Sequence, residues 1–315
     1  MIEKLKKIQI EPTNRCNAAC VMCRRTYWQR PLGDMDLNKF IYILNKIPEC
    51  KQIHLQGVGE PFLNSDIIDM IKMAKNRNII VSTVTNGTLF DNKKFVKNVI
   101  MSDLDFMAFS IDTINEIKFS SIRRALNLKH IINNLNNVID VRNDLCSKMK
   151  IAIVSVLTNY SSYEEIIDLI YFAEKSKIDL IYFQHLNVNI IGYEKAYEAK
   201  FTSDDIIKLN KHLSKEKYNI KILLPEILLS NESIKCKWPY RGTNITWDGY
   251  VTLCCLQPDP SLLSFGNIYN DSFFNIWNSL EYKKIRSDFQ KNKTPNICNH
   301  CPALYGEMWN TEISL

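Results

Sequence analysis

The stretch "EPTNRCNAACVMCRR", residues Glu11 to Arg25, places three cysteines within eight residues. A tetrahedral structural zinc takes four ligands, and this loop contains no fourth cysteine or histidine. Thiolates suit iron–sulfur clusters, and a four-iron cluster bound by three of them leaves one iron with an open coordination position. Because structural sites are closed and reactive sites keep room for a ligand, we expect Cys16, Cys20 and Cys23 to hold a reactive cluster.

The composition is that of a soluble globular protein. The 315 residues are 46% hydrophobic and 23% charged, which leaves room for a barrel of roughly 200 to 250 residues and a smaller domain. The net charge is +6 with scattered lysines, so we expect no nucleic-acid partner. The N-terminus lacks the apolar run of a signal peptide and no run of about 18 apolar residues follows, which predicts a cytoplasmic protein without a membrane segment.

Short β-branched runs alternate with longer amphipathic runs over the first 190 residues. The predicted strands are Ile8 to Glu11, Gln52 to Gln56, Ile79 to Thr85, Phe106 to Ile111, Met149 to Leu157 and Leu180 to His185. The predicted helices lie near 37–47, 65–77, 91–101, 127–143 and 163–176. Strands separated by helices of this length pair in parallel through right-handed crossovers, so we expect an α/β barrel-type sheet that ends near residue 190.

Polar clusters follow the predicted strands at the point where each strand ends. They are "GVGEP" (Gly57 to Pro61), "TNG" (Thr85 to Gly87), "SID" (Ser110 to Asp112) and "QH" (Gln184, His185). Each cluster alone is weak evidence, since "TNG" is also a favourable turn. Because the carboxyl ends of parallel strands converge on the ligand site of such folds, together they predict an active site on one rim.

The spacing Cys16-x3-Cys20-x2-Cys23 after a first strand, with Gly59-Glu60-Pro61 after the second, resembles the radical S-adenosylmethionine (SAM) superfamily. The resemblance implies a partial (β/α)6 TIM-like barrel whose cluster binds the methionine part of SAM. It also implies reductive cleavage of SAM to a 5'-deoxyadenosyl radical that takes a hydrogen atom from the substrate, with an electron donor such as flavodoxin or ferredoxin. The alternative for these cysteines is a zinc site completed by a distant residue, or incidental core cysteines.

The same resemblance implies which residues contact SAM. They are Gly57, Gly59, Glu60, Pro61, Met22, Asn86, Ser110, Asp112 and Arg123. Gly59 and Glu60 match the Gly-Gly-Glu-Pro motif that contacts the SAM amino group, while Val58 stands where the family often has its first glycine. Met22 takes a position that is usually aromatic and close to the adenine. Asn86, Ser110 and Asp112 are candidates for the ribose and carboxylate of SAM, and Arg123 for the carboxylate.

The C-terminal cysteines form a second pattern. The spacing Cys-x12-Gly-x4-Cys, followed by Cys-x2-Cys, resembles the SPASM domain in its shortened, one-cluster Twitch form. The resemblance implies one auxiliary 4Fe-4S cluster held by Cys236, Cys254, Cys298 and Cys301, with a structural zinc as the alternative. We therefore expect a radical SAM barrel over 1–190, a connecting segment over 191–224 and a small cluster domain over 225–315.

Two further residues are candidates for the reaction itself. Cys255 is a hydrogen-atom donor, a ligand in place of Cys254, or a buried apolar residue, and these alternatives stay open. His185, at a strand end on the predicted rim, is a candidate contact of substrate or SAM.

Three functional hypotheses follow. No peptide-recognition domain precedes the first strand, which favours a small substrate, and the one-cluster arrangement resembles aminocyclitol dehydrogenases that pass a second electron to the auxiliary cluster. The leading hypothesis is therefore two-electron oxidation of a small hydroxyl-bearing metabolite of sugar or aminocyclitol type. The second is an epimerase or peptide (RiPP) maturase in which a cysteine such as Cys255 quenches the carbon radical. The third is a non-catalytic zinc-binding adaptor.

Overall fold

The computed structural model describes residues 5–158, 161–186, 203–225, 234, 236–299 and 301. Within these ranges the strands are β1 (Lys7–Ile10), β2 (Gln52–Leu55), β3 (Ile80–Thr85), β4 (Phe106–Ser110), β5 (Lys150–Leu157), β6 (Leu180–His185), β7 (Lys221–Leu223), β8 (Gly242–Ile245) and β9 (Val251–Thr252). The helices are α1 (Leu37–Lys46), α2 (Ile67–Lys75), α3 (Lys93–Ile100), α4 (Glu116–Ile122), α5 (Leu128–Asp144), α6 (Tyr163–Lys175), α7 (Ser203–Leu213), α8 (Trp238–Arg241), α9 (Phe273–Trp277) and α10 (Leu280–Gln290).

The strands of the described residues form one sheet in the order β7-β6-β5-β4-β3-β2-β1-β8-β9. Strands β1 to β7 pair in parallel with their neighbours in chain order, and α1, α2, α3, α5 and α6 provide the crossovers between β1 and β6. This parallel arrangement confirms the predicted α/β fold with a partial TIM-like barrel. The six predicted strands and the helices between them are all present, with ends that differ by one or two residues.

The prediction that the sheet ends near residue 190 is wrong. Strand β7 extends it beyond β6, and β8 joins the opposite edge by pairing in parallel with β1, with Lys7 opposite Gly242 and Ile10 opposite Ile245. Strand β9 then folds back antiparallel on β8. An edge strand presents a row of unpaired N–H and C=O groups, so β1 gains hydrogen bonds when β8 covers it. The C-terminal cysteine region is thus joined to the barrel by strands that belong to the barrel sheet.

The side chains that the sheet directs into the barrel are polar on some strands and apolar on others. On β1, Ile8 and Ile10 are fully buried in the main hydrophobic core, whereas Lys7 and Gln9 face the barrel interior. Strands β4 to β6 instead face the interior with an apolar cluster, which consists of Phe106, Ala108, Ala152, Val154 and Leu180. Because side chains alternate along a strand, the polar residues of β1 and β2 are directed inward as a group. The interior is polar on one side and apolar on the other.

The outer helices are amphipathic, and α1, α3, α5 and α6 begin at side chains that accept hydrogen bonds from their first turns. Ser162 and Glu165 form a capping box at the start of α6, and Asn127 accepts from the N–H of His130 at the start of α5. These helices pack their apolar faces on the sheet, which fixes the strand ends relative to one another. Among the described residues, no helix combines the length and apolarity that crossing a bilayer requires.

Candidate active site

A cavity of about 440 Å³ lies inside the barrel and brings most of the predicted site residues together. The predicted residues on its wall are Cys16, Cys20, Met22, Cys23, Gly57, Gly59, Glu60, Asn86, Ser110, Arg123, His185 and Cys255. The predicted residues that do not line it are Pro61, Asp112, Cys236, Cys254, Cys298 and Cys301. We call the rim formed by the carboxyl ends of the strands the mouth of the cavity.

The three-cysteine loop is held against the end of α4, a helix that the sequence pattern did not predict. The N–H of Ala19 donates to the carbonyl of Arg124 (3.0 Å), and the N–H of Val21 donates to that of Ile122 (2.9 Å). These bonds satisfy the backbone of an irregular loop and fix its path across the mouth. The α4 segment therefore acts as a support for the cysteine loop.

The three thiols of this loop are neighbours on the cavity wall. Burial, with a smaller contribution from charge repulsion by the nearby thiols of Cys20 and Cys16, raises the pKa of Cys23 to about 11. Burial also raises the pKa of Cys16, whose sulfur accepts a hydrogen bond from the N–H of Ala18 (3.4 Å). Because iron binds the thiolate, cluster binding would release protons from these groups.

Glu60 is a buried carboxylate at the mouth with three hydrogen-bond donors around it. Its Oε1 accepts from Thr85 Oγ1 (2.8 Å) and from the N–H of Phe62 (3.3 Å), and its Oε2 accepts from the N–H of Asn86 (2.7 Å). Burial raises the pKa of Glu60 to about 7, against the lowering effect of these bonds. The carboxylate is thereby fixed in position and charged above about pH 7, which suits an ammonium ligand.

The loop that carries Glu60 lies directly on the cysteine loop. The N–H of Glu60 donates to the carbonyl of Arg15 (2.8 Å), and a Cβ atom on Gly59 would lie 2.3 Å from the carbonyl oxygen of Thr13. Only a residue without a side chain fits this contact. Asn86, at the end of β3, joins the same cluster through a hydrogen bond from its Nδ2 to Asn17 Oδ1 (2.7 Å).

Asp112 and Arg123 form a buried, two-pronged ion pair. Arg123 donates from Nε to Oδ2 (2.7 Å) and from Nη2 to Oδ1 (3.1 Å) of Asp112, which also accepts from the N–H of Val156 (2.9 Å). Burial opposes the charge on Arg123, but Asp112 beside it keeps the pKa of the guanidinium above its usual value. Arg123 lines the cavity whereas Asp112 lies behind it, so the structure gives Asp112 the position of a residue that orients Arg123.

The four C-terminal cysteines of the predicted auxiliary site lie together. Burial raises the pKa of Cys254 well above its usual value, and the neighbouring thiols of Cys255, Cys301, Cys298 and Cys236 add repulsion. Cys298 is buried and the other three are half-buried, and this sulfur-only donor set fits an iron–sulfur cluster. Across the described residues, no three Cys, His, Asp or Glu side chains converge closely enough to hold a single metal ion.

Cys255 differs from Cys254 in where it points. It lines the cavity together with Trp238 and Lys7, whereas Cys254 does not. Burial raises the pKa of the Cys255 thiol to about 12, and Lys7 opposes this rise. Both adjacent cysteines therefore lie near other C-terminal thiols, and Cys255 differs in that it also lines the cavity.

Comparison with known protein families agrees with this arrangement. The model of the radical SAM superfamily matches residues 10–170, just over half of the chain. The chain belongs to the radical SAM superfamily. A second model, for the SPASM iron–sulfur cluster-binding domain, matches residues 236–302. This radical SAM protein accordingly uses a SAM-binding 4Fe-4S cluster, an auxiliary cluster and SAM, and membership of the superfamily favours the enzyme hypotheses over the zinc-binding adaptor.

Several curated relatives resemble this radical SAM protein over most of its length. The tungsten-containing aldehyde ferredoxin oxidoreductase cofactor-modifying protein of Pyrococcus furiosus is 26% identical over 323 residues, which cover 94% of this chain and 87% of the relative. The GTP 3',8-cyclase of Clostridium perfringens strain SM101 is 27% identical over 238 residues, which cover 73% of this chain and 70% of the cyclase. The structure of Streptococcus suis SuiB bound to S-adenosylmethionine matches with a TM-score of 0.74 and 20% identity over 90% of this chain and 68% of SuiB, a likeness of fold.

The radical SAM barrel also contains inward-facing polar residues that the sequence pattern did not single out as functional. We call them the polar wall: Lys7, Gln9, Gln52, His54, Gln56 and Ser82. His54 Nδ1 lies 2.8 Å from Ser82 Oγ and its Nε2 contacts Gln56 Oε1, while burial lowers the pKa of His54 to about 4. The ring is therefore neutral and positions the Gln56 amide. The signal in the sequence was the alternation "KIQI" and "QIHLQ", in which the polar residues share one face.

A second set of missed residues joins the two cysteine regions of this radical SAM protein. Arg24, next to Cys23, donates from Nη1 to Gln257 Oε1 (3.0 Å). The Nε2 of Gln257 in turn donates to the carbonyl of Ile297 (2.9 Å), one residue before Cys298. A side-chain bridge thus runs from the three-cysteine loop to the C-terminal cysteine region. The spacing of the cysteines in the sequence does not predict this contact.

Proposed function

We propose that this radical SAM enzyme removes a hydrogen atom from a carbon of a small, polar, hydroxyl-bearing molecule and oxidises that molecule by two electrons. When bound, the clusters and SAM supply the 5'-deoxyadenosyl radical and an acceptor for the second electron. The substrate class in this proposal is of sugar or aminocyclitol type. A protein reductant of flavodoxin or ferredoxin type would deliver the first electron.

The observation that carries the proposal is the single cavity that joins the two cysteine regions. Its wall includes Cys16, Cys20 and Cys23 near the mouth and Cys255 at the far end, beside the four C-terminal thiols. A substrate between these ends would be close to both redox groups. Oxidation by two electrons requires that proximity, because the second electron must leave the substrate after the hydrogen atom has been removed.

The cavity has two parts with different proposed functions. At the mouth, Cys16, Cys20 and Cys23 would hold the first cluster, and Glu60 and Arg123, which line the same cavity, would bind the ammonium and carboxylate of SAM. Deeper inside, the polar wall offers amide and hydroxyl groups that suit hydroxyl-bearing ligands, opposite the apolar cluster of β4 to β6. Two curated relatives are named for action on a cofactor and on GTP, which supports a small substrate for this enzyme as well.

The test is substrate-dependent cleavage of SAM by the reconstituted protein. The anaerobic enzyme is incubated with SAM, dithionite and a panel of sugars and aminocyclitols, and 5'-deoxyadenosine and products are followed by mass spectrometry. We expect a compound that raises 5'-deoxyadenosine formation and leaves two mass units lighter. The Cys16→Ala variant is the control and should form no 5'-deoxyadenosine. Products of unchanged mass throughout the panel would contradict oxidation.

The second candidate function is epimerisation, and the position of Cys255 favours it. This thiol lies on the cavity wall, where it is placed to return a hydrogen atom to a substrate radical. An epimerase would incorporate one deuterium from D2O into a product of otherwise unchanged mass, and Cys255→Ala would abolish turnover while still allowing SAM cleavage. Oxidation without a solvent label, retained in Cys255→Ala, would favour the first function. A peptide substrate would fit the same test, with peptides in place of sugars.

A further inference from the structure

Lys7 is a lysine inside the barrel whose charge has no partner among the residues that the structure describes. It is the first residue of β1 and lies opposite Gln52 of β2, so both side chains project from the same face of the sheet into the cavity. Within the described part of the chain, the ammonium of Lys7 makes no hydrogen bond and no ion pair. The one carboxylate among the described lining residues is Glu60, whose oxygens are already bound by three donors at the mouth.

Burial makes an uncompensated ammonium costly. Burial lowers the pKa of Lys7, with the Cys255 thiol as the opposing influence, and Lys7 in turn lowers the pKa of His54. Lys7 is half-buried, and a charge that loses part of its hydration is normally paired, because that loss is otherwise not repaid. The environment of Lys7 therefore favours binding of an anion.

Two amide groups beside Lys7 are also without partners. Gln9 is only 4% exposed, yet its side-chain amide makes no hydrogen bond with any described residue, and the same holds for the amide of Gln52. Both line the cavity on the same face of β1 and β2 as Lys7. Gln52 is half-buried, and both amides face the cavity and not another part of the described protein, so these groups are arranged for a ligand with several acceptor oxygens.

We propose that Lys7, Gln9 and Gln52 form a subsite for a carboxylate of the substrate. Resting on the proposed function, this assigns the substrate to small hydroxy acids and sugar acids, and it excludes cationic aminocyclitols. One ammonium balances the single charge of a carboxylate, whereas a phosphate monoester brings up to two charges and is usually bound by several cations. The carboxylate would anchor one end of the substrate and direct its hydroxyl-bearing carbons toward the mouth.

The competing role for Lys7 is support of the auxiliary site. Lys7 lies near Cys255, which is adjacent to Cys254 in the chain, so its charge also acts on the C-terminal thiols. The two roles differ in what a Lys7 variant changes. An anion subsite determines which ligands bind, whereas a lysine that serves the cluster determines iron content and reduction potential.

The experiment measures equilibrium binding to the SAM-loaded, anaerobically reconstituted enzyme without reductant, so that it does not depend on turnover. The probes are D-glycerate, D-gluconate and D-glucuronate, each paired with its neutral counterpart, glycerol, D-glucitol or D-glucose, and D-glucosamine serves as a cationic probe. We expect at least one acid to bind about tenfold or more tightly than its neutral counterpart, because hydrogen bonds to charged groups contribute most to binding. D-Glucosamine should bind more weakly than D-glucose.

Variants assign the preference to Lys7. Lys7→Met should remove the acid preference, Lys7→Arg should keep part of it, and Lys51→Met, which removes an exposed charge next to Gln52, should keep all of it. Equal binding of every acid and its neutral counterpart by the wild type would overturn the subsite. So would a Lys7→Met variant that retains the preference, or one whose only change is in auxiliary-cluster iron content or potential. An acid preference in an enzyme that never oxidises its ligand would instead contradict the proposed function and leave the subsite standing.

Discussion

At the scale of single residues, Glu60 is the proposed contact for the ammonium group of SAM, and its charge depends on burial. Burial raises the pKa of its carboxyl to about 7, and only the ionised form attracts an ammonium group. The carboxylate is charged above this pH and neutral below it, so SAM affinity should fall as the pH falls. We expect the dissociation constant of SAM to rise about tenfold for each pH unit below 7, measured by isothermal titration between pH 5.5 and 7.5.

The control for this prediction is Glu60→Gln, which removes the titrating group and keeps the shape of the side chain. The variant should bind SAM weakly and with little dependence on pH over the same range. A wild-type affinity that is constant from pH 5.5 to 7.5 would show that Glu60 does not bind the ammonium of SAM.

Gly59 allows the second prediction at this scale. A Cβ atom there would lie 2.3 Å from the carbonyl oxygen of Thr13 and 2.6 Å from that of Arg15, and neither backbone group can move without displacing the cysteine loop. Gly59→Ala should therefore reduce both iron content after reconstitution and SAM cleavage by tenfold or more. Val58→Ala, which changes a side chain and keeps the backbone bond to Glu11, should retain wild-type values of both. Normal SAM cleavage by Gly59→Ala would contradict the role of this close contact.

The residues at the mouth were predictable from the sequence, whereas those of the polar wall were not. Cys16 and Glu60 occur in short motifs with fixed spacing at strand ends, and such motifs remain recognisable without a structure. Lys7 and Gln9 belong to a four-residue strand with an ordinary alternating pattern. The same pattern describes a strand with one face in water, and only the folded barrel, whose cavity these side chains line, shows that this face is enclosed.

At the scale of elements, one carboxylate joins three segments around the site. Glu11, at the end of β1, accepts from the N–H of Val58 (3.2 Å) at Oε1 and from the N–H of Trp247 (3.3 Å) at Oε2, and Arg30 lies 3.5 Å from it. The first bond holds the loop that carries Glu60, and the second holds the hairpin between β8 and β9. The position of the loop that carries Glu60 thus depends on Glu11, which is not itself on the cavity wall.

Glu11→Gln tests this link between elements. The amide nitrogen would face a backbone donor and Arg30, which leaves buried polar groups unsatisfied, so we expect a loss of about 1–3 kcal/mol in stability and weaker SAM binding together. Thermal unfolding and SAM titration measure the two effects. Asp69→Asn is the matched control, because it removes an exposed pair with Lys72 and should change stability by less than about 0.5 kcal/mol. A Glu11→Gln variant with unchanged stability and SAM affinity would show that these hydrogen bonds contribute neither to stability nor to SAM binding.

The predicted elements differ in how far local sequence determines them. Helix α6 begins at a capping box and β5 is a long apolar run, and both were predicted within two residues. Helix α4 was missed because its seven residues are too few for a clear amphipathic period. Strand β8 was missed as part of the barrel because its partner, β1, is more than 200 residues away in sequence, and pairing at that distance is decided by the free edge of the sheet.

At the scale of the whole molecule, the two cysteine regions form one structural unit. The sheet runs from β7 through β1 into β8 and β9, and the side chains of Arg24 and Gln257 bridge the loops that follow β1 and β9. Spacing predicted the two cysteine sets separately, but it did not predict that one cavity would contact Cys23 and Cys255. That arrangement follows from the topology, which folds the C-terminal hairpin back against the first strand.

The adjacent cysteines allow a final prediction about this unit. Both thiols lie near Cys236 and Cys301, but only Cys254 also interacts with Cys298 and only Cys255 faces the cavity, so the two should differ in their effect on iron content. The reconstituted wild type should contain about eight irons per chain, as two four-iron clusters require. Cys254→Ser should contain about four and still cleave SAM with dithionite, because the cluster at the mouth is bound independently.

Cys255→Ser should keep about eight irons, since its thiol is not among the proposed ligands. Cys16→Ser is the reciprocal variant: it should retain the four auxiliary irons and lose SAM cleavage. Iron analysis, electron paramagnetic resonance spectra and 5'-deoxyadenosine formation distinguish the three variants. If Cys255→Ser loses four irons and Cys254→Ser loses none, the ligand is Cys255, and a hydrogen-donating thiol at the far end of the cavity is no longer available. The choice between oxidation and epimerisation would then favour oxidation, because the carbon radical would lack a cysteine to quench it.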